Sequence, residues 1–156
     1  MFVVSFEIMK SFTLSLVTPE RKLLEEAVTQ VTLPTEAGEV TILPDHIPYI
    51  ASLKSGEVRV ETPQGESKHF VVLGGFVEFH DNTLSLLADA AERADEIDLE
   101  RAERAEKRAR EIREKKIDAS LEEQTLAVAA LERAWARLHV GKKHRSHHNA
   151  NPETSV

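Results

Sequence analysis

The sequence predicts an all-β N-terminal sandwich followed by an antiparallel two-helix C-terminal hairpin. Three observations carry this. Short β-branched segments divided by turn residues fill the stretch from about 12 to 88. No Gly or Pro occurs from Asp89 to Leu138. Across that second stretch the apolar spacing changes from two to three or four.

The chain has 156 residues, enough for one domain with a small appendage. Its formal net charge is -7, which argues against general nucleic-acid binding, since that needs a basic surface. Cysteine is absent, so disulfides and thiolate metal sites are excluded. Residues 1–10 form an extension interrupted by Ser5, Glu7 and Lys10, with no signal-type apolar core. Met9 is a candidate alternative start. No stretch is long enough to span a bilayer, so membrane association is expected only through partners.

Residues 11–88 are assigned to the sandwich. The predicted strands are FTLSLVT, TQVTLPT, EVTIL, EVRVET, KHFVVL, FVEFH and TLSLLA. Between them lie Pro34, Gly38, Pro44, Pro48, Gly56, Gly74-Gly75 and Asp81-Asn82. Thr62-Pro63-Gln64-Gly65 suits a hairpin turn, because Pro presets φ and Gly accepts φ > 0. Strands at this spacing argue for a sandwich, and the absence of strand–helix alternation argues against a doubly wound fold. Gly74-Gly75 is read as a bulge or a close backbone approach.

Residues 89–140 are assigned to the hairpin. Leu99, Ala102, Ala105, Ala109 and Ile112 form one apolar stripe, and Leu121, Val128, Leu131, Trp135 and Leu138 a second. Ser120 with Glu123 is a capping box that starts the second arm near Leu121. Glu-to-Arg/Lys pairs such as Glu100–Arg104 and Glu106–Arg110 each add about 0.2–0.5 kcal/mol. The first stripe is mostly alanine, so the hairpin should dock weakly and reversibly. Trp135 is the expected packing anchor on the sandwich. Residues 141–156 are read as a disordered tail; His144, His147 and His148 could bind metal loosely, but composition favours a solvated tail and no metal site is assigned.

A hairpin turning near residue 119 places Arg101 level with Arg137, with Arg133 and Arg108 within two turns. Asp98 shares a face with Arg101, and Glu92 lies nearby. Converging guanidiniums repel one another until an anion fills the gap, and Arg forks suit phosphate oxygens. No Walker motif is present. Spacing alone leaves the alternative open: Asp98 as a plain N-cap, and the arginines solvated or paired with acids. Asp45-His46 lacks a nucleophile or third group and reads as a turn or interface.

The stretch LPTEAGEVTILPDHIPYIASLKSGEVRV at 33–60 combines Pro-x-x-x-Gly-Glu, Leu-Pro-x-His-x-Pro and Gly-x-Val-Arg, and VLGGFVEF follows at 72–79. Together these resemble the ε subunit of bacterial F-type ATP synthase, over residues of about 11 to 140. IDLERA at 97–102 is similar to the ATP-binding Ile/Leu-Asp-x-x-Arg-Ala pattern of ε subunits. The resemblance implies a non-catalytic regulatory subunit of the central stalk, with no required cofactor and ATP as a regulatory ligand. Its implied partners are the γ subunit, the c-ring and the α/β catalytic head. Its implied place is the cytoplasmic face of the bacterial cell membrane. Carried over residue by residue, the implied ATP site is Glu92, Ile97, Asp98, Arg101, Ala102, Arg108, Arg133 and Arg137. Glu36, Asp45 and His46 are implied at the c-ring face. The rival readings are a free-standing adaptor without nucleotide, and a small enzyme using Glu92 and Asp98. The second is poor, because those two carboxylates do not share a helical face.

Overall fold

The structure is a computed structural model that describes residues 10–114 and 120–149, and only the backbone of 146–149. Eight strands precede the helices: β1 (Phe12–Val17), β2 (Lys22–Val28), β3 (Gln30–Thr35), β4 (Gly38–Ile42), β5 (Tyr49–Glu61), β6 (Ser67–His80), β7 (Thr83–Ala88) and β8 (Ala91–Arg93). A 3-10 turn at Ala94–Glu96 leads into α1 (Leu99–Glu114) and then α2 (Leu121–Asn149). The expected sandwich and two-helix architecture is present.

All strands belong to one hydrogen-bonded path, β2-β1-β7-β6-β5-β3-β4, with β8 on β6. β5 and β6 pair from Tyr49–Phe79 to Glu61–Ser67, skipping only Lys54 and Gly74. One half of this long ribbon joins β7, β1 and β2, and the other half joins β3, β4 and β8. The two halves face each other across a single core. Leu14, Leu16, Phe79, Leu84 and Leu86 meet Val31, Leu33, Val58, Val60, Phe70 and Val72 there. The fold-over occurs at Gly74-Gly75. Gly75 has φ +119°, and a Cβ on it would collide with the Leu87 carbonyl oxygen. The close-approach reading of this pair is therefore the observed one.

The predicted segments 68–73 and 76–80 are one strand, β6. Two strands go beyond the prediction. β2 carries Leu23-Leu24 followed by Glu25-Glu26, which breaks alternation, and β8 is a three-residue edge piece that carries the sheet past residue 88. The turns behave as read. The Thr62 carbonyl accepts from Gly65 N at 2.9 Å, with Gly65 at φ +77°. Asp81 and Asn82 both have positive φ, as a two-residue hairpin of right-handed strands requires.

β6 is apolar on both faces at Phe70–Leu73, because both faces are covered. Phe70 and Val72 point into the sandwich, while Val71 and Leu73 meet Ala94, Ile97, Ala136 and Val140 outside it. This second, small cluster is where α2 docks. α1 packs mainly on α2. Ala102 and Ala109 of α1 and Ala127, Ala134 and Leu138 of α2 are buried. At the same junction a Cβ on Gly141 would come within 2.7 Å of Leu99 Cδ2. Small residues let the two arms approach closely.

Three expectations are corrected. The second stripe is only partly buried: Leu138 is buried and Leu131 half-buried, whereas Leu121 is 81%, Val128 45% and Trp135 63% exposed. Trp135 stacks on His139 on the solvent side instead of anchoring the hairpin, and the neighbouring Ala134 and Ala136 take the buried positions. The tail expected to be disordered from residue 141 is helical to Asn149, held by contacts that Lys143 and His144 make with the sandwich. Residues 1–9 and 150–156, the side chains of His147 and His148, and the hairpin turn at 115–119 lie outside the described residues.

Candidate functional site

Asp98 sits between the 3-10 turn and α1 and caps the helix, with Oδ1 accepting from Arg101 N at 2.9 Å. Its carboxylate also favours the positive end of the helix dipole. Ser120 caps α2 in the same way, and Glu123 returns a bond to Ser120 N at 2.8 Å, completing the capping box. Glu92, on β8, accepts from Arg137 Nε at 2.7 Å. This pair joins the sandwich to α2.

Glu92, Asp98, Arg101, Ala102 and Arg137 line one open cleft of about 790 Å³ between the sandwich and the hairpin. That size is within the range of small-molecule sites. The other three implied residues do not line it. Ile97 is 2% exposed and packs beneath the cleft floor with Val71 and Val140. Arg108 and Arg133 lie exposed farther along the arms. Glu20, Arg21, Asp89 and Glu96 also line the cleft, and the sequence reading did not single them out. The lining therefore holds five carboxylates against three guanidiniums. Of those arginines, Arg137 is already neutralised by Glu92, whereas the Arg101 guanidinium has no ion-pair partner among the described residues.

A second polar contact holds the far end of α2. Glu57 of β5 receives Lys143 Nζ at 2.7 Å, His144 Nε2 at 2.7 Å and His69 Nδ1 at 2.9 Å. Burial alone would raise the Glu57 pKa, but hydrogen bonds from Lys143, His144 and His69 hold it at about 2. Burial pushes His69 below its ordinary value, against the pull of Glu57. Glu57 lies inside the Gly-x-Val-Arg segment, yet nothing local to that segment signals its three partners.

At the opposite end of the sandwich, Asp45 has φ +62°, its backbone N donates to Asn82 Oδ1 at 3.0 Å, and Lys10 pairs with its carboxylate at 3.0 Å. His46 lies edge-on to Tyr49 and Phe79. Glu36 is exposed in the β3–β4 turn. Beside this loop are large exposed apolar side chains missed in the sequence reading: Ile47, Ile50, Phe76 and Leu87. Phe76 is opposite Leu87 in the β6–β7 register and opposite Ser52 in β5–β6, so Phe76 and Leu87 lie side by side on the outer face of the sheet. Alternation on β6 does mark Phe76 as outward, and that signal was available.

Comparisons with known proteins follow the two structural halves. The family described as ATP synthase, Delta/Epsilon chain, beta-sandwich domain matches residues 11–94. The long alpha-helix domain of the same chain matches residues 95–142. An ATP synthase epsilon chain from Ligilactobacillus salivarius is 43% identical over 135 residues, covering 83% of this chain and 94% of that protein. One from Geobacter sulfurreducens is 41% identical over 128 residues, covering 82% and 91%. Among solved structures, a chain of the Euglena gracilis mitochondrial ATP synthase (OSCP/F1/c-ring) aligns with TM-score 0.73 at 23% identity, covering 94% of this chain and 88% of that one. A chain of the Tetrahymena thermophila mitochondrial ATP synthase central stalk and c-ring aligns with TM-score 0.58 at 18% identity, covering 83% and 95%, which supports the shared fold.

Proposed function

Since the chain belongs to the delta/epsilon family of ATP synthase chains, we propose that it is a non-catalytic rotor subunit with an ATP-sensitive hairpin. In this reading the sandwich joins γ to the c-ring in the central stalk. The hairpin restrains ATP hydrolysis when it leaves the sandwich and reaches the α/β head. The chain then works at the cytoplasmic face of a bacterial membrane, held there by its partners. No described helix is long and apolar enough to cross a membrane.

One observation carries the regulatory part. The apolar part of the docked contact is confined to Ala136 and Val140 of α2 on Val71 and Leu73, while Leu121, Val128 and Trp135, seven residues apart on one helix face, stay exposed. A row of large uncovered apolar side chains fits a second protein seat. The docked contact is small enough for a ligand to oppose or reinforce it. At one hundred times its Kd, a ligand of the docked state adds about 2.7 kcal/mol.

ATP is the proposed ligand of the cleft. Arg101 and Arg137 offer guanidinium forks to phosphate, and Glu92 and Asp98 offer acceptors to a ribose hydroxyl or a base amine. The ligand must compete with the Glu92–Arg137 pair, and Arg108 and Arg133 reach it only by swinging in from the arms. For Glu36, Asp45 and His46, with the exposed apolar side chains beside them, the proposed partners are the c-ring and γ.

The test is reconstitution with γ and the α/β head. The full chain should bind γ and slow ATP hydrolysis. A chain ending at Glu96 should bind γ without slowing hydrolysis. Loss of γ binding by the full chain would overturn the stalk reading, and equal hydrolysis rates with both chains would overturn the regulatory one.

A further inference from the structure

We propose that Glu57, His69 and His144 form a Zn²⁺ site that pins the end of α2 to the sandwich. Among the described residues these three bring their ligand atoms within 4.8 Å of one another. Glu57 comes from β5, His69 from β6 and His144 from α2. Two imidazoles and one carboxylate suit a borderline divalent ion, with a fourth position left for water.

The hydrogen bonds around His69 hold its ring in place for a metal. Ser67 Oγ donates its one hydrogen to Glu61 Oε1 at 2.8 Å. His69 Nε2 lies 3.1 Å from the same Oγ and must be the donor there. That bond turns Nδ1 toward Glu57 Oε1, 2.9 Å away. Ser67 and Glu61 also supply the outer partner that orients a metal-bound imidazole.

The geometry needs little change. Ligand atoms in a tetrahedral zinc site lie roughly 3.3 Å apart. Here Glu57 Oε1 lies 2.9 Å from His69 Nδ1 and 2.7 Å from His144 Nε2. The three side chains are 10–24% exposed, and a cavity of about 500 Å³ lined by His69, His144 and Ser67 gives an entry path. Lys143 holds the other Glu57 oxygen at 2.7 Å, so its charge opposes the metal without occupying the same atom.

Because the ligands come from both domains, Zn²⁺ binds the docked arrangement and favours it by mass action. The inference is independent of nucleotide and of the stalk reading. The experiment is calorimetric titration of the full chain, freed of metal, with ZnCl₂. One equivalent should bind, and protection of α2 from hydrogen exchange should rise with it. His69→Ala and His144→Ala should each weaken binding by more than about tenfold. Lys143→Met should tighten it. A His147→Ala/His148→Ala double variant should bind as the parent does. No binding at millimolar Zn²⁺ overturns the proposal. So does binding that survives His69→Ala, or that disappears in the double tail variant.

Discussion

Arg137 of α2 donates from Nε to Glu92 Oε1 of β8 across 2.7 Å, and the two side chains are 29% and 32% exposed. They lie 45 positions apart in the chain, and their pairing closes one wall of the cleft over Asp98 and Arg101. The pair serves docking and the proposed nucleotide site at once, so its loss should affect both.

Arg137→Ala should weaken docking by about 1 kcal/mol, the scale of a partly exposed ion pair. Hydrogen exchange in α2 would rise accordingly. The same variant should weaken ATP binding by more than about tenfold, since a charged fork is lost. Arg108→Ala, outside the cleft lining, should have a smaller effect. Calorimetry giving equal losses for the two would place the ligand elsewhere.

In metal-free protein, docking should weaken with acid. Glu57 falls from an ordinary 4.5 to about 2 in the folded state. Its contribution is therefore present above 4.5 and disappears as pH falls toward 2, and the share owed to Lys143 and His144 of α2 is lost from docking. His69 acts in the same direction at higher pH, because its folded value is also depressed and its protonation is resisted. Glu57→Gln should flatten the lower part of the profile, measured by α2 exchange or by melting between pH 6 and 2.

Trp135→Ala should leave the melting transition nearly unchanged, within about 0.5 kcal/mol, because the ring is on the solvent side. Ala134→Leu should cost about 1–3 kcal/mol, because Ala134 is 1% exposed within the close-packed hairpin. Denaturant melts of the two variants check the assignment of the α1–α2 seam.

Gly75→Ala should destabilise the sandwich by at least about 2 kcal/mol, combining a positive φ with a clash against the Leu87 carbonyl. Gly65→Ala meets open space, so it carries only the backbone cost, about 1 kcal/mol. The difference between them isolates steric approach from conformation.

Phe76→Asp should leave the fold intact, since Phe76 is 60% exposed, while reducing capture of γ or of the c-ring. Circular dichroism and co-purification read the two outcomes separately.

Local signals in the sequence were sound where the structure is local. Ser120 and Glu123 exchange the two bonds their spacing implies, and Asp98 caps α1. β2 escaped notice because Leu23-Leu24 and Glu25-Glu26 hide the alternation of an edge strand. Helix beyond Gly141 could not be read from neighbours. Its tail contacts include Lys143 and His144 with Glu57, 86 and 87 positions away, and Arg145 with the Ile97 carbonyl, 48 away. Trp135 misled for a related reason. Its size suggested the interior, but the interior there is a narrow seam between alanines, visible only once both arms are in place. Of the eight residues implied at the ATP site, five share the cleft, and their register across the hairpin follows from tertiary packing that spacing approximates only near Arg101 and Arg137.

The ribbon of β5 and β6 runs through both layers of the sandwich, paired along its length except at Lys54 and Gly74. Twisting force applied to one layer therefore passes to the other along covalent backbone and paired amides, with no sliding surface in between. In a part that spins, such a joint would behave as a stiff coupling, and any compliance would be left to the helical arm.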